Sequence, residues 1–335
     1  MGSARTAGVI AGLLALAAPA GALGASASVA SDERTGVWTL TYAADAGEVN
    51  DVRVAPRPSN LIRIDDPGAA LVLGDSHCTT EPFGTTCSTG IGIAGALPVP
   101  VGDPPAPIDG SNFALGSGND QLSAAAPLFV FAAGDAGDDT LVAQGTGAFS
   151  GGPGADFMAG GPGDRDRAYY LNPDVGVRVT LDGVANDGAP GEGDNVMPSI
   201  EWLVGTRVDD VLIGNGADNV FEGFGGVDHL KGAGGDDSLS GTGRFEGGPG
   251  DDNLGFWGSG PTVQTPPATA IGGAGNDEIS VRATTGTVNA GPGDDTVFAS
   301  GSPQLGVTIS CGPGIDIVHA DAPDTVASDC ETVLP

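Results

Sequence analysis

The stretch 205–255 constrains this chain more than any other. Written in nines it reads GTRVDDVLI, GNGADNVFE, GFGGVDHLK and GAGGDDSLS, then a short GTGRFE, then GGPGDDNLG. Each of the four contiguous units opens on Gly, carries Asp or Asn in sixth place and places Leu or Phe eighth. Glycines in the first six places allow backbone angles that a Cβ would forbid, so these places make a turn. Places seven to nine make a short strand. Neighbours along a strand face opposite sides, so the eighth side chain points inward. Two such units make one full coil, and turns on one side come from alternate repeats.

The sixth-place carboxylate then meets a turn two repeats away, which suits a cation between coils. Calcium is a hard cation that takes roughly six to eight oxygens from carboxylates and backbone carbonyls. The spacing predicts that Asp210 pairs with Asp228 and Asn219 with Asp237. If GTGRFE is a shortened half-coil, Asp237 also faces Asp252. The same place is held by Asp120 in LGSGNDQLS, Asp139 in GDAGDDTLV, Asp156 in GGPGADFMA, Asp277 in GGAGNDEIS, Asp295 in AGPGDDTVF and Asp316 in CGPGIDIVH. In GGPGDRDRA the sixth place is Arg165 and Asp166 comes one residue late. The hexad-plus-nonad GTGRFEGGPGDD from Gly241 is echoed by GTGAFSGGPGAD from Gly145, which predicts a regular way of tightening a half-coil.

Composition agrees with a turn-dense repeat fold. The chain has 335 residues, with 59 Gly, 25 Pro and 5% aromatics, too few for a large conventional core. Gly and Pro recur too often for an amphipathic helix. The net charge of −31, with a single lysine, Lys231, argues against nucleic acid and against anionic membrane surfaces. Close-packed carboxylates need solvent or cations. Recurrence of the acids at one repeat position favours cations over a generally acidic surface.

Residues 1–30 read as a secretory signal peptide. Arg5 supplies the positive start, 7–22 are apolar, and Ala20-Gly-Ala22, Ala25-Ser-Ala27 and Ser28-Val-Ala30 offer cleavage sites. A secreted, extracellular protein meets calcium and keeps disulfides. The four cysteines allow three pairings. The local ones, Cys78–Cys87 and Cys311–Cys330, are the simplest. A zinc site would want a C-x-x-C pair, and none exists.

The remainder divides around the repeats. Residues 31–110 form an N-terminal β region, with strands expected at 37–42, 49–54 and 61–64 and a Pro-rich connection at 97–107. A first repeat block covers 111–168. An insertion, 169–204, holds an acidic loop at 182–195 that fails the EF-hand spacing and reads as a solvated excursion. The main block is 205–255 and irregular repeats fill 256–310. There, 261–267 reads as a bulge, and 280–282 and 306–309 are expected to form the opposite wall. Residues 311–335 suit a C-terminal cap. The fold class expected is all-β, a parallel β-roll or β-helix solenoid with a small N-terminal β region.

These repeats resemble those of the haemolysin-type, RTX-like calcium-binding proteins, and the layout is similar to secreted actinobacterial members. The resemblance rests on the nonads, on VTLDGVANDGAPGEGDN from Val179 and on the C-terminal CGPGID. It implies calcium binding and a parallel β-roll, with Ca2+ as the one cofactor, and it implies no catalytic activity. Two other classes find some support in the sequence. A secreted hydrolase finds Gly74-Asp75-Ser76 and Asp316-Ile317-Val318-His319, which resemble the ends of a GDS-type esterase. However, Asp316 is already a repeat residue and the G-x-N-D oxyanion motif is missing. Paired carboxylates for carbohydrate cleavage carry no information in so Asp-rich a chain. A cell-surface adhesin, with a cell-envelope or polysaccharide partner, is the third class.

Overall fold

The computed structural model describes residues 26–31, 38–44, 49–57, 61–65, 72–73, 78–81, 84–88, 111–125, 129–163, 165–170, 174–257, 267–282, 285–300 and 306–335. The expected signal segment up to residue 25, the connection at 97–107, most of the 261–267 bulge and Gly74-Asp75-Ser76 lie outside these residues. No helix occurs among the described residues, and the chain is a β-solenoid. One 15-stranded sheet runs its whole length. The facing side is divided between two 8-stranded sheets, one for each half. We call them the long wall, the N-terminal short wall and the C-terminal short wall.

Each nonad contributes one short strand, and the contiguous nonads of 205–240 alternate between facing walls, whereas those from 247 onward all lie in the long wall. Val211–Ile213 lies parallel to Asp228–Lys231 in the C-terminal short wall, with Leu212 against Leu230. Val220–Glu222 lies parallel to Ser238–Gly241 in the long wall, with Phe221 against Leu239. The eighth-place residues stack into one apolar column between the walls. Leu122, Leu141, Met158, Leu212, Phe221, Leu230, Leu239, Leu254, Ile279, Val297 and Val318 are all buried. Burying each is worth about 1.5–3 kcal/mol, so a single apolar residue per repeat sustains the fold because repeats share it with their neighbours.

Both hexads lie in the stack. Thr146–Ser150 is a long-wall strand parallel to Phe129–Ala133 and Arg167–Tyr169. Gly243–Pro249 is a strand of the C-terminal short wall, parallel to Asp228–Lys231 and Ala268–Ala274. A hexad is thus a half-coil whose turn has been cut to a minimum. The Thr242 hydroxyl donates to the Gly226 carbonyl at 2.5 Å, and the Thr242 carbonyl accepts the Asp228 amide at 2.8 Å.

The N-terminal region is the first coil of the solenoid. Trp38–Ala43 lies parallel to Ser111–Ala114, and Asp51–Arg57 parallel to Gln121–Ala124. Antiparallel strands are then added outward: Ser26–Ser31 on the long wall, and Leu61–Asp65 with Gly84–Ser88 and Cys78–Glu81 on the short wall. On the long wall Val72–Leu73 then pairs parallel with Ser26–Ser31 as the outermost strand. Cys78 and Cys87 are register partners. At the other end, Ile317–Ala320, Thr325–Val326 and Thr332–Leu334 continue the walls, and the Cys311–Cys330 disulfide pins this last coil.

Two sequence expectations need correction. Ser280–Arg282 does not form the opposite wall. Ile279 and Val281 alternate inward, so the nonad strand simply lengthens to Glu278–Arg282 within the long wall. The opposite wall comes from Ala268–Ala274, Gly286–Asn289 and Val307–Ser310, the last close to the 306–309 expected. The acidic loop 182–195 is a solvated excursion only in part, for its mostly exposed 182–186 and 190–191 are anchored by buried Asp187 and Asp194. Arg178–Thr180 starts the C-terminal short wall against Val211–Ile213, and Asn195–Val196 ends the N-terminal one against Phe157–Ala159. Between them Asp187 and Asp194 bridge one another's backbone and are buried. The insertion is the place where one short wall hands over to the other.

Candidate metal centre

The sixth-place side chains form ladders along the solenoid. In each rung one carboxylate oxygen, Oδ1, accepts the backbone N–H of the ladder residue one coil earlier. On the N-terminal short wall, Asp120 accepts from Asn50 at 2.6 Å, Asp139 from Asp120 at 2.8 Å, Asp156 from Asp139 at 2.9 Å and Asp194 from Asp156 at 2.9 Å. On the C-terminal short wall, Asp210 accepts from Val177 at 2.8 Å and Asp228 from Asp210 at 3.1 Å. On the long wall, Asp237 accepts from Asn219, Asp252 from Asp237, Asp277 from Asp252, Asp295 from Asp277 and Asp316 from Asp295, all within 2.8–2.9 Å. Glu331 closes that ladder by accepting from Asp316 at 2.9 Å.

All eleven sixth-place residues named from the sequence stand in these ladders, and all are buried. Asp210 meets Asp228, Asn219 meets Asp237 and Asp237 meets Asp252, each through a direct side-chain-to-amide bond. The structure adds rungs that the period did not mark. Asp166, delayed by Arg165, is buried and accepts from Gly147. The turn from Gly160 to Asp166 is simply one residue longer than that from Gly151 to Asp156. Asn50, Asp194, Glu201 and Glu331 extend the ladders at their ends. Their only sequence signal was an acid or amide just before a short strand.

A second, exposed ladder runs alongside in the fifth place, in the opposite sense. Asp218 accepts from the Asp236 amide, Asp236 from Asp251, Asp251 from Asn276, Asn276 from Asp294 and Asp294 from Ile315, at 2.7–2.9 Å. Here the earlier coil's side chain reaches forward, whereas the inner ladder reaches back. Neighbouring turns are therefore clasped from both directions.

The inner carboxylates are only half satisfied. Oδ2 of Asp139, Asp156, Asp228, Asp237, Asp252, Asp277, Asp295 and Asp316 is buried and has no hydrogen-bond partner. Six of these oxygens, all but those of Asp295 and Asp316, point at the first-place glycine of their own turn; in the last two repeats that place is held by Ala290 and Cys311. A Cβ on Gly134, Gly151, Gly223, Gly232, Gly247 or Gly272 would collide with the oxygen that faces it. Beside Gly134 the Gly151 carbonyl comes to the same spot, beside Gly247 the Gly272 carbonyl, and beside Gly272 the Ala290 carbonyl. A carboxylate oxygen and a carbonyl oxygen thus converge from adjacent coils. Two buried oxygens without a donor between them repel, and leaving one unsatisfied costs about 1–3 kcal/mol. A hard cation resolves this, and oxygen donors are what calcium takes. Among the described residues, no cluster of three or more His, Cys, Asp or Glu side chains is assembled to hold a metal. Backbone carbonyls would have to supply most of each coordination shell, so the donors fit calcium and not zinc.

The proton affinities point the same way. Burial pushes the carboxyls of Asp156 and Asp228 up to about 8, and those of Asp139, Asp237 and Asp277 up to about 7. Neighbouring carboxylates raise them further, and the amide hydrogen bond offsets part of the rise. Three ladder residues differ. In Asp210 both oxygens are taken, Oδ2 by the Thr206 amide at 2.6 Å and the hydroxyl at 3.2 Å. In Asp194, Tyr170 donates to Oδ2 at 3.0 Å. Asn219 accepts from the Asn215 amide at 3.0 Å and leaves its buried Nδ2 without an acceptor.

Of the esterase-like residues, Asp316 belongs to the ladder, while His319 lies stacked on Phe298 at the outer face.

The RTX calcium-binding nonapeptide repeat family model matches the chain in four copies, over residues 149–165, 204–239 and 269–297. No curated protein matches the chain. The matched segments supply Asp156, Asp210, Asn219, Asp228, Asp237, Asp277 and Asp295. Asp120, Asp139, Asp252 and Asp316 lie outside them yet share the same ladders.

Proposed function

We propose that this chain, which carries RTX calcium-binding nonapeptide repeats wound into a β-solenoid, is a secreted calcium-binding repeat protein with a structural or surface role and no catalysis of its own. The observation that carries the reading is the row of eight buried carboxylate oxygens without partners, six of them set against the first-place glycine of their turn. Asp139, Asp156, Asp228, Asp237, Asp252, Asp277, Asp295 and Asp316 would hold the ions, with carbonyls such as those of Gly151, Gly272 and Ala290. Asp210 and Asn219 would be weak contributors. When bound, calcium supplies positive charge between coils. The protein's own residues supply the rest: the ladder amides fix each carboxylate, and the first-place glycines leave room for it.

The family match is to the calcium-binding repeat itself, which supports a role that rests on the repeats. Export is supported by the apolar N-terminal stretch with its Ala-rich exit, and by the need for a calcium-rich compartment. Calcium should also drive folding, since an ion that binds only the folded form stabilises it by mass action. Circular dichroism after chelation, followed by calcium titration, tests this. We expect the β signal to appear cooperatively at submillimolar to millimolar calcium. A spectrum that is already complete in chelator and unchanged by calcium would remove the folding claim. Calorimetry showing no bound calcium would remove the function.

A further inference from the structure

We propose that the outer face of the long wall, near its C-terminal end, holds a binding slot for one sugar ring of a neutral glycan. This goes beyond calcium binding and requires only the folded solenoid.

Aromatic side chains are scarce in this chain, and several are spent in the core: Tyr42, Phe113, Phe149, Phe221 and Phe245 are fully buried. Phe298 is not. It sits outward on the strand Thr296–Ser300, in the row Gly255, Ser280, Phe298, His319. The His319 ring stacks on it, with centroids 4.9 Å apart and planes 10° apart. One face of the Phe298 ring is therefore braced. The other is turned toward Ser280 and, one strand further, Gly255. Strands are spaced about 4.8 Å apart, so two rows of minimal side chains open a gap of roughly 10 Å beside that ring. A cavity of about 450 Å³ lies over the strands of Ser280, Phe298 and His319, lined by Phe298, Ser280, Glu278, Arg282, His319 and Asp321.

The chemistry of the lining selects the occupant. A pyranose has an apolar C–H face and a rim of hydroxyls. The Phe298 face matches the first, while Glu278 and Asp321 as acceptors and Arg282 as a donor match the second. A few polar groups around an apolar surface fix orientation and give specificity. Local carboxylates and a net charge of −31 oppose an anionic sugar or a nucleic acid. The strands carrying the slot are hydrogen-bonded on both sides, so an extended peptide cannot add to the sheet here.

The test uses the full mature chain in saturating calcium. Saturation-transfer NMR with cellohexaose, laminarihexaose and mannohexaose reads contact with neutral sugar rings, and a galacturonic acid hexamer serves as the anionic probe. We expect transfer to at least one neutral hexasaccharide and none to the acidic one. Phe298→Ala should weaken that binding about tenfold, the size of one lost ring contact. Ser280→Trp, which fills the slot and keeps the ring, should abolish it. Both positions face outward, so the calcium-dependent circular dichroism should match that of the parent. If none of the three neutral sugars binds, if only the acidic hexamer binds, or if both folded variants bind as the parent does, the proposal is overturned.

Discussion

The residue that departs most clearly from its neighbours is Asn219. Along the long wall every later aspartate rung is a carboxylate whose Oδ1 holds the preceding amide and whose Oδ2 is left without a partner. Asn219 instead places a donor without an acceptor in a buried position. Asn219→Asp should exchange that donor for an oxygen and complete the rung. We expect calorimetry to show one additional calcium per chain, or a clear gain in affinity for one existing ion. An unchanged isotherm would mean that this turn is not a site. The second place of the repeat offers an independent residue-scale test. Asp135, Phe224 and Ala233 hold φ of 71°, 59° and 87° there, whereas Gly152, Gly248, Gly273, Gly291 and Gly312 occupy the equivalent positive-φ places. A Cβ in the left-handed region costs about 1 kcal/mol. Ala233→Gly should therefore raise stability by about that amount in calcium, less any gain in unfolded-chain entropy. Chemical denaturation measures the change, and a loss of stability would show that the turn is not strained.

Among elements, the insertion carries the least expected role. Asp187 is buried but fully used: Oδ1 accepts from the Thr180 amide at 2.7 Å and hydroxyl at 3.1 Å, and Oδ2 accepts from the Val196 amide at 2.9 Å. It ties the first strand of one short wall to the last strand of the other. Asp187→Ala should destabilise the protein by about 3 kcal/mol without changing the number of calcium ions bound. Asp237→Ala should lower that number. Thermal melts combined with calorimetry separate the two, and equal calcium loss in both would refute the distinction. This contrast also marks what could be read in advance. The nonads made the alternation of walls over 205–240, the inward eighth residue and the pairings of Asp210 with Asp228 and Asn219 with Asp237 legible, because each is fixed by a nine-residue period. Asp187 and Asp194 follow no period, since their burial depends on two walls meeting at a place that only three-dimensional stacking defines. Asp166 was hidden by one extra turn residue, and Ser280–Arg282 by a strand that outgrew its repeat.

For the whole molecule, the buried ladders make stability depend on pH with opposite signs in the absence and presence of calcium. The folded-state carboxyls of Asp139, Asp156, Asp228, Asp237 and Asp277 titrate at about 7 to 8, whereas an unfolded aspartate titrates near 3.9. Between those limits the folded chain binds more protons than the unfolded one, so ∂ΔG of unfolding with pH is negative. The stabilising contribution is fully present below about pH 4 and is lost as pH rises through 7 to 8. The proton goes where the oxygen lacks a partner: Oδ2 can be protonated while Oδ1 keeps its amide. Calcium competes for the same oxygens, so its binding releases protons and strengthens as pH rises. In chelator the melting temperature should therefore climb as pH falls from 8 to 5, while in excess calcium it should fall over the same interval. The two curves approach each other at acid pH, where protons replace ions between the coils. Parallel melts in chelator and in calcium across this range decide the matter. A chelator curve that rises with pH would show that the inner carboxylates are ionised and already balanced without a cation, and the ladders would then be structural and not metal sites.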